Sequence, residues 1–285
     1  MLAALLAAVT ATTLSPLQQA SLLVVSGLPV GARTGGVLVQ RWNRNQPRPS
    51  AETVYADQEG GRVRAFPQLA PAADARHVAN AADAYESGLE TARDLRAAGV
   101  DVDLAPVLDL RDGPLGAREF RSPRYGIAFA RGLLAGGVGA CAKHFPGLGS
   151  LPVSTDKRLY VRGVARPQDV APYRDAVEAE IPCVMVGHGI YRNLGTRRAA
   201  LDPAAYAYLR SLGFTGVAIT DSLGILGSRY APLWAAEAVR AGADLVLFTS
   251  GRDAARAVHA LVPLALRGEL EVHVRRVLRF RARFG

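Results

Sequence analysis

Carboxylate, ammonium and imidazole groups carry proton transfer and nucleophilic attack, and in this chain they recur at matching points. Asp57 stands in ADQEGGRV, Asp109 in APVLDL, Lys143 and His144 in ACAKHFPGLG, His188 in MVGHGIY and Asp221 in VAITDSLG. Each lies at the end of a short apolar run. A lone aspartate after such a run ordinarily caps a turn or a helix, and a lone histidine within one ordinarily hydrogen-bonds in a core. Five successive runs that end on titratable groups point instead to one shared site. Lysine usage singles out the same place: of 34 Lys plus Arg, only Lys143 and Lys157 are lysines, both within CAKHFPGLGSLPVSTDKR.

Eight runs can hold these residues: SLLVVSG, GGVLVQ, ETVYAD, DVDLAPVLDL, GACAKHF, PCVMVGH, GVAITD and ADLVLF. Most are continuously apolar, as in parallel strands covered on both faces. Amphipathic helix patterns at 74–99, 167–180 and 231–242 alternate with them. Ser15-Pro16 and Asp202-Pro203 supply helix starts. Strands and helices alternating at this count predict an α/β fold, a (β/α)8 TIM-type barrel in a single domain over residues 14–285. The segment 40–51 is too short and proline-rich for a crossover helix, so the barrel is expected to be trimmed there. Residues 1–13 read as a clipped export signal or an N-terminal helix, which leaves a cytoplasmic and an exported location both open.

The composition is that of a globular protein, 49% hydrophobic and 21% charged over 285 residues. Its net charge of +9 comes from arginines spread along the chain rather than gathered in one basic run, so nucleic acid is not expected as a partner. No run of about 20 apolar residues is present to span a bilayer. Cys141 and Cys183 read as small buried thiols rather than a disulfide or metal pair. His144 and His188 come from separate runs with no ligand-spaced neighbours, and the glycine-rich GLPVGARTGG and DQEGG lack a P-loop lysine, so no metal and no cofactor is expected. The oligomeric state is not legible.

Taken in order, ADQEGGRV, APVLDL, ACAKHFPGLG, MVGHGIY and VAITDSLG resemble glycoside hydrolase family 3, in particular its single-domain bacterial β-N-acetylhexosaminidases. The resemblance runs from LSPLQQASLL to VRRVLRFRARFG. It implies retaining hydrolysis of a terminal β-linked sugar, foremost β-N-acetylglucosamine of cell-wall-type glycans, with Asp221 as nucleophile. It also implies that Asp57, Arg118, Lys143, His144 and His188 bind the sugar, and that the barrel is trimmed at 112–124 as well, a segment more compact than is usual in that family. Enzymes of that type place an Asp-x-His pair on the loop after KHFPG; here the loop reads VSTDKRL, with Arg158 two residues beyond Asp156 and no histidine from 145 to 187. Asp156 is therefore the nearest candidate for the acid/base, and Lys157 and Arg158 are expected to hold it ionised. A glycan-binding protein without turnover and a β-glucosidase-type specificity stay open as alternatives.

Overall fold

The computed structural model describes residues 13–50, 52–110 and 113–285. The expectations for residues 1–12 lie outside the described residues. All eight apolar runs form strands: β1 (Val24–Gly27), β2 (Gly36–Val39), β3 (Thr53–Ala56), β4 (Val102–Asp103), β5 (Gly139–Phe145), β6 (Cys183–Val186), β7 (Val217–Thr220) and β8 (Val246–Phe248). Every pairing within this sheet is parallel, in the spatial order β7-β6-β5-β4-β3-β2-β1-β8. A parallel bridge between Ile219 and Leu245 joins the two edges and closes the barrel. Burial on both faces explains the unbroken apolar runs; every residue of β1, β2, β3 and β5 to β8 is buried.

The helices are α1 (Pro16–Leu22), α2 (Ala81–Ala97), α3 (Pro123–Ala135), α4 (Pro167–Glu178), α5 (Pro203–Ser211), α6 (Ala231–Ala241), α7 (Gly251–Leu266) and α8 (Glu271–Phe284). Ser15 caps α1 in a reciprocal capping box with Gln18, and Asp202 caps α5. The helix expected from residue 74 starts later, because Asn80 accepts from the Asp83 amide and fixes the start of α2 at Ala81. Between β2 and β3 the described residues form turns and no helix, in line with the proline-rich 40–51. No helix among the described residues is long and apolar enough to cross a membrane.

Two expectations are corrected. Strand four is shorter than its apolar run: the regular strand ends at Asp103, Pro106 has no amide to give, and beyond it the pairing with β5 continues only irregularly, through the Ala105 and Pro106 carbonyls, the Leu108 amide and a bridge from Val107 to Lys143. The cysteines are not separate thiols. β5 and β6 are neighbours, their register sets Cys141 opposite Cys183 with Cα atoms 4.3 Å apart, and the two sulfurs are bonded.

At the opposite end of the barrel from the strand C-termini, buried Asp244 gathers four donors. Arg210 Nη2 lies at 2.6 Å, His273 Nδ1 at 2.9 Å, Arg276 Nη1 at 3.1 Å and the Ala218 amide at 2.9 Å. These bonds tie α5, α8 and β7 together on the face that in such barrels serves stability. On the outer layer, α2 and α3 cross at two glycines. A Cβ on Gly88 would collide with the Phe129 carbonyl oxygen, and one on Gly132 with that of Tyr85. Gly88→Ala, which in an open helix gains about 1 kcal/mol, is therefore expected to lose about 1–3 kcal/mol. The measurement is the denaturant midpoint at unchanged slope, and a raised midpoint would contradict the close approach.

Candidate functional site

The C-terminal ends of the strands converge on a cavity of about 250 Å³ lined by Asp57, Glu59, Arg118, Lys143, His144, Asp156 and Asp221 among others. A larger cleft of about 440 Å³ lies among Phe214, Arg279 and Phe284 at the other end, and none of the strand-end residues faces it. Of the expected site residues, only His188 is set back from the cavity lining, buried behind it.

The DQEGGRV motif is built from three devices. Gln58 donates to the carbonyls of Phe66 and Ala70 and accepts from the Phe66 amide, which fastens the segment after the motif. Gly60 and Gly61 take positive φ in the hairpin between residues 58–60 and 63–64, where a side chain would be strained. Glu59, buried, then reaches two cations: Arg118 Nε and Nη2 donate to its two oxygens at 2.7 and 2.8 Å, and Lys143 Nζ lies 2.6 Å from Oε1. Lys143 also donates to Asp57 Oδ1 at 2.7 Å. Glu59 escaped the sequence reading, although its signal was present. Strand periodicity of two puts it on the same side as Asp57.

Burial opposes the charge of Glu59, yet Lys143 and Arg118 outweigh it and hold its carboxyl at about 2. Burial likewise opposes the charge of Lys143, and Asp57 and Glu59 more than offset it, so its ammonium titrates above the ordinary lysine range. Behind them, burial pushes the Asp103 carboxyl up to about 8 against the Gln58 amide and Lys143. Asp103 is thus mainly neutral at pH 7.

The KHFPG turn is strapped by Asp109, whose carboxylate accepts from the His144 amide at 3.2 Å, from the Leu148 amide at 2.7 Å and pairs with His144 Nδ1 at 2.8 Å. The Lys143–His144 and Phe145–Pro146 peptides are cis. His144 Nε2 is left for the cavity.

Asp221 follows β7 and accepts from the Ser222 amide at 2.7 Å. Burial opposes its ionisation, but His188, His144, the Ser222 amide and Lys143 prevail, and its carboxyl lies below the usual range. His188 itself is pushed down by burial. The ring bonds the Ser222 carbonyl through Nε2 at 3.0 Å, which makes Nε2 the donor; buried Nδ1 has no partner among the described residues.

Asp156 stands on the loop after β5 with its side chain 63% exposed. Ser154 Oγ donates to it at 3.2 Å, and its cationic neighbour is Arg118 Nη1 at 4.0 Å. No ion pair joins Asp156 to Lys157 or Arg158 among the described residues. Both follow Asp156 in a turn closed by bonds from their amides to the Ser154 carbonyl. No group of three or more His, Cys, Asp or Glu side chains among the described residues could hold a metal ion.

The sequence profile of the glycosyl hydrolase family 3 N terminal domain matches residues 39–280. The chain belongs to glycosyl hydrolase family 3. A β-hexosaminidase of Alkalilimnicola ehrlichii is 32% identical over 81% of this chain and 78% of its own length. One from Bordetella parapertussis is 33% identical over 71% and 65%. A solved family 3 glycosyl hydrolase of Mycobacterium smegmatis superposes with a TM-score of 0.82 at 28% identity, covering 94% of this chain and 97% of that one. The family 3 β-N-acetylglucosaminidase of a Paenibacillus shares the fold at a TM-score of 0.84 and 24% identity over 95% of this chain, which spans 62% of that longer one. This protein is accordingly a glycosidase on a family 3 barrel.

Glu59 supplies a test of the ion network. Its folded carboxyl is depressed, so its stabilisation is complete above the ordinary range near 4.5 and is lost as pH falls towards about 2. Glu59→Gln leaves two buried cations short of an anion and is expected to cost about 3–5 kcal/mol at pH 7. The deficit should shrink between pH 4.5 and 2 in denaturant titrations; an equal deficit at both pH values would remove Glu59 from the network's centre.

Proposed function

We propose that this family 3 glycosidase removes terminal β-linked N-acetylglucosamine from cell-wall-type glycans, with retention, through a covalent intermediate on Asp221. The carrying observation is a buried carboxylate, held ionised, that lines a cavity together with hydroxyl-binding groups. An oxocarbenium-like transition state needs an anion beneath the anomeric carbon, and in a retaining enzyme that anion attacks. Asp57 accepts from sugar hydroxyls, while Lys143, His144 and Arg118 donate to them. His188 bonds the Ser222 carbonyl and orients the peptide that carries Asp221. The sugar is inferred from the names of the relatives, β-hexosaminidases and a β-N-acetylglucosaminidase.

The loop after β5 offers the cavity a carboxylate, Asp156, and no imidazole. Carboxylic acids are ordinarily ionised at neutral pH and deliver a proton poorly there. Asp156, beside Arg118 and Ser154, therefore orients the leaving group more than it protonates it, and turnover depends on how readily that group departs. The same geometry supports a second reading, a glycan-binding protein that no longer cuts.

Aryl β-N-acetylglucosaminides graded by phenol acidity, run beside a natural disaccharide, decide between these. Rates rising steeply with phenol acidity, a slow disaccharide, and loss of about 10³-fold or more in Asp221→Asn are expected for a nucleophile with a weak acid partner. Binding of sugar without cleavage of any of these substrates would establish the second reading.

A further inference from the structure

The loop between β5 and α4, which carries Asp156 to the cavity, leaves two large side chains in water a few residues further on, Leu159 at 48% and Tyr160 at 72% exposure. Their position is fixed from three sides. Residues 162–163 pair in parallel with residues 190–191, and the Ile190 amide donates to the Val161 carbonyl at 2.9 Å, so the loop is stitched to the segment just past His188. Asp156, four residues earlier, lines the cavity. Arg198 places its guanidinium carbon 4.4 Å from the centroid of the Tyr160 ring and donates through Nη2 to the Leu159 carbonyl at 2.8 Å.

A ring braced by a guanidinium and still mostly exposed is a rigid surface with a face to offer. The cavity, at about 250 Å³, is smaller than the roughly 300–1,000 Å³ of drug-sized pockets. One sugar ring fills it, and a second ring must lie outside, over the rim. Resting on the glycosidase reading above, we propose that Tyr160, backed by Arg198, is the platform on which the leaving-group sugar stacks. A pyranose presents an apolar face of C–H groups that suits an aromatic surface, while its edge hydroxyls remain free for water. Specificity on the leaving-group side would then be read by this one ring, separately from the cavity groups that hold the terminal sugar.

The test is calorimetric, in the Asp221→Asn background so that no ligand is consumed. Titration with N-acetylglucosamine and with its β-1,4-linked disaccharide measures the affinity gained from the second ring. An excess of about 3- to 10-fold is expected, the scale of one aromatic contact, falling to near unity with Tyr160→Ala and persisting with Tyr160→Phe. No excess in the parent protein, an excess that survives Tyr160→Ala, or a parallel loss for both ligands would overturn the platform. The hydrolase reading fails on a different observation, the absence of turnover by the unsubstituted protein. An excess that depends on Tyr160 in such a protein would still support the platform.

Discussion

The barrel mouth depends on a set of two anions and two cations, Asp57, Glu59, Lys143 and Arg118, of which Glu59 and Lys143 are buried and the other two half-buried. Each of these charges would be costly to remove from water alone. Together they balance, and the geometry makes each bond close: Arg118 grips Glu59 through two nitrogens, and Lys143 sits between Glu59 and Asp57. Asp103, mainly neutral because burial raises its carboxyl, lies behind this set without upsetting the balance. The pairing also fixes direction. A lysine held between two carboxylates cannot swing on its flexible stem, so the ammonium presents itself to the cavity at one point. A planar guanidinium would not fit that point, which accounts for a lysine persisting in a chain otherwise given to arginine.

The ion set requires the barrel, and the barrel requires the sequence to bring distant residues into register. Glu59 and Arg118 are 59 positions apart, and Lys143 and Asp57 86. What joins them is the parallel order of β3, β4 and β5, with the strands ending at a common level. Local chemistry then finishes each loop: Gln58 ties down the residues after DQEGG, and Asp109 straps KHFPG through two amides and an imidazole. Both side chains are occupied by the protein's own backbone. They shape the site from behind, whereas Lys143 and Asp57 also line the cavity.

This division explains how much was legible in the sequence. All eight strands were readable, because parallel strands buried on both faces leave unbroken apolar runs. The positions of Asp57, Lys143, His144 and Asp221 were readable for the same reason, since each follows or ends such a run. Glu59 was overlooked beside a more conspicuous Asp57, although alternation alone aligned them. The bond between Cys141 and Cys183 was not readable at all: it depends on two strands being neighbours and on a register that no local pattern records. The end of β4 at Asp103 belongs to the same class, hidden because the apolar run continues past Pro106, where the pairing turns irregular.

The loop after β5 shows a different limit. Its sequence reveals which residue types are present and that a histidine is not among them, but the partners of Asp156 come from elsewhere in space. Lys157 and Arg158 are adjacent in the chain yet spend their amides on closing a turn, while Arg118, 38 positions away in sequence, approaches the carboxylate. Arg118 is also the residue that clamps Glu59. The carboxylate on the loop and the carboxylate in the barrel thus meet at one guanidinium, and through it the position of Asp156 depends on the same ion set that orients Lys143. A change at Arg118 therefore touches both carboxylates at once.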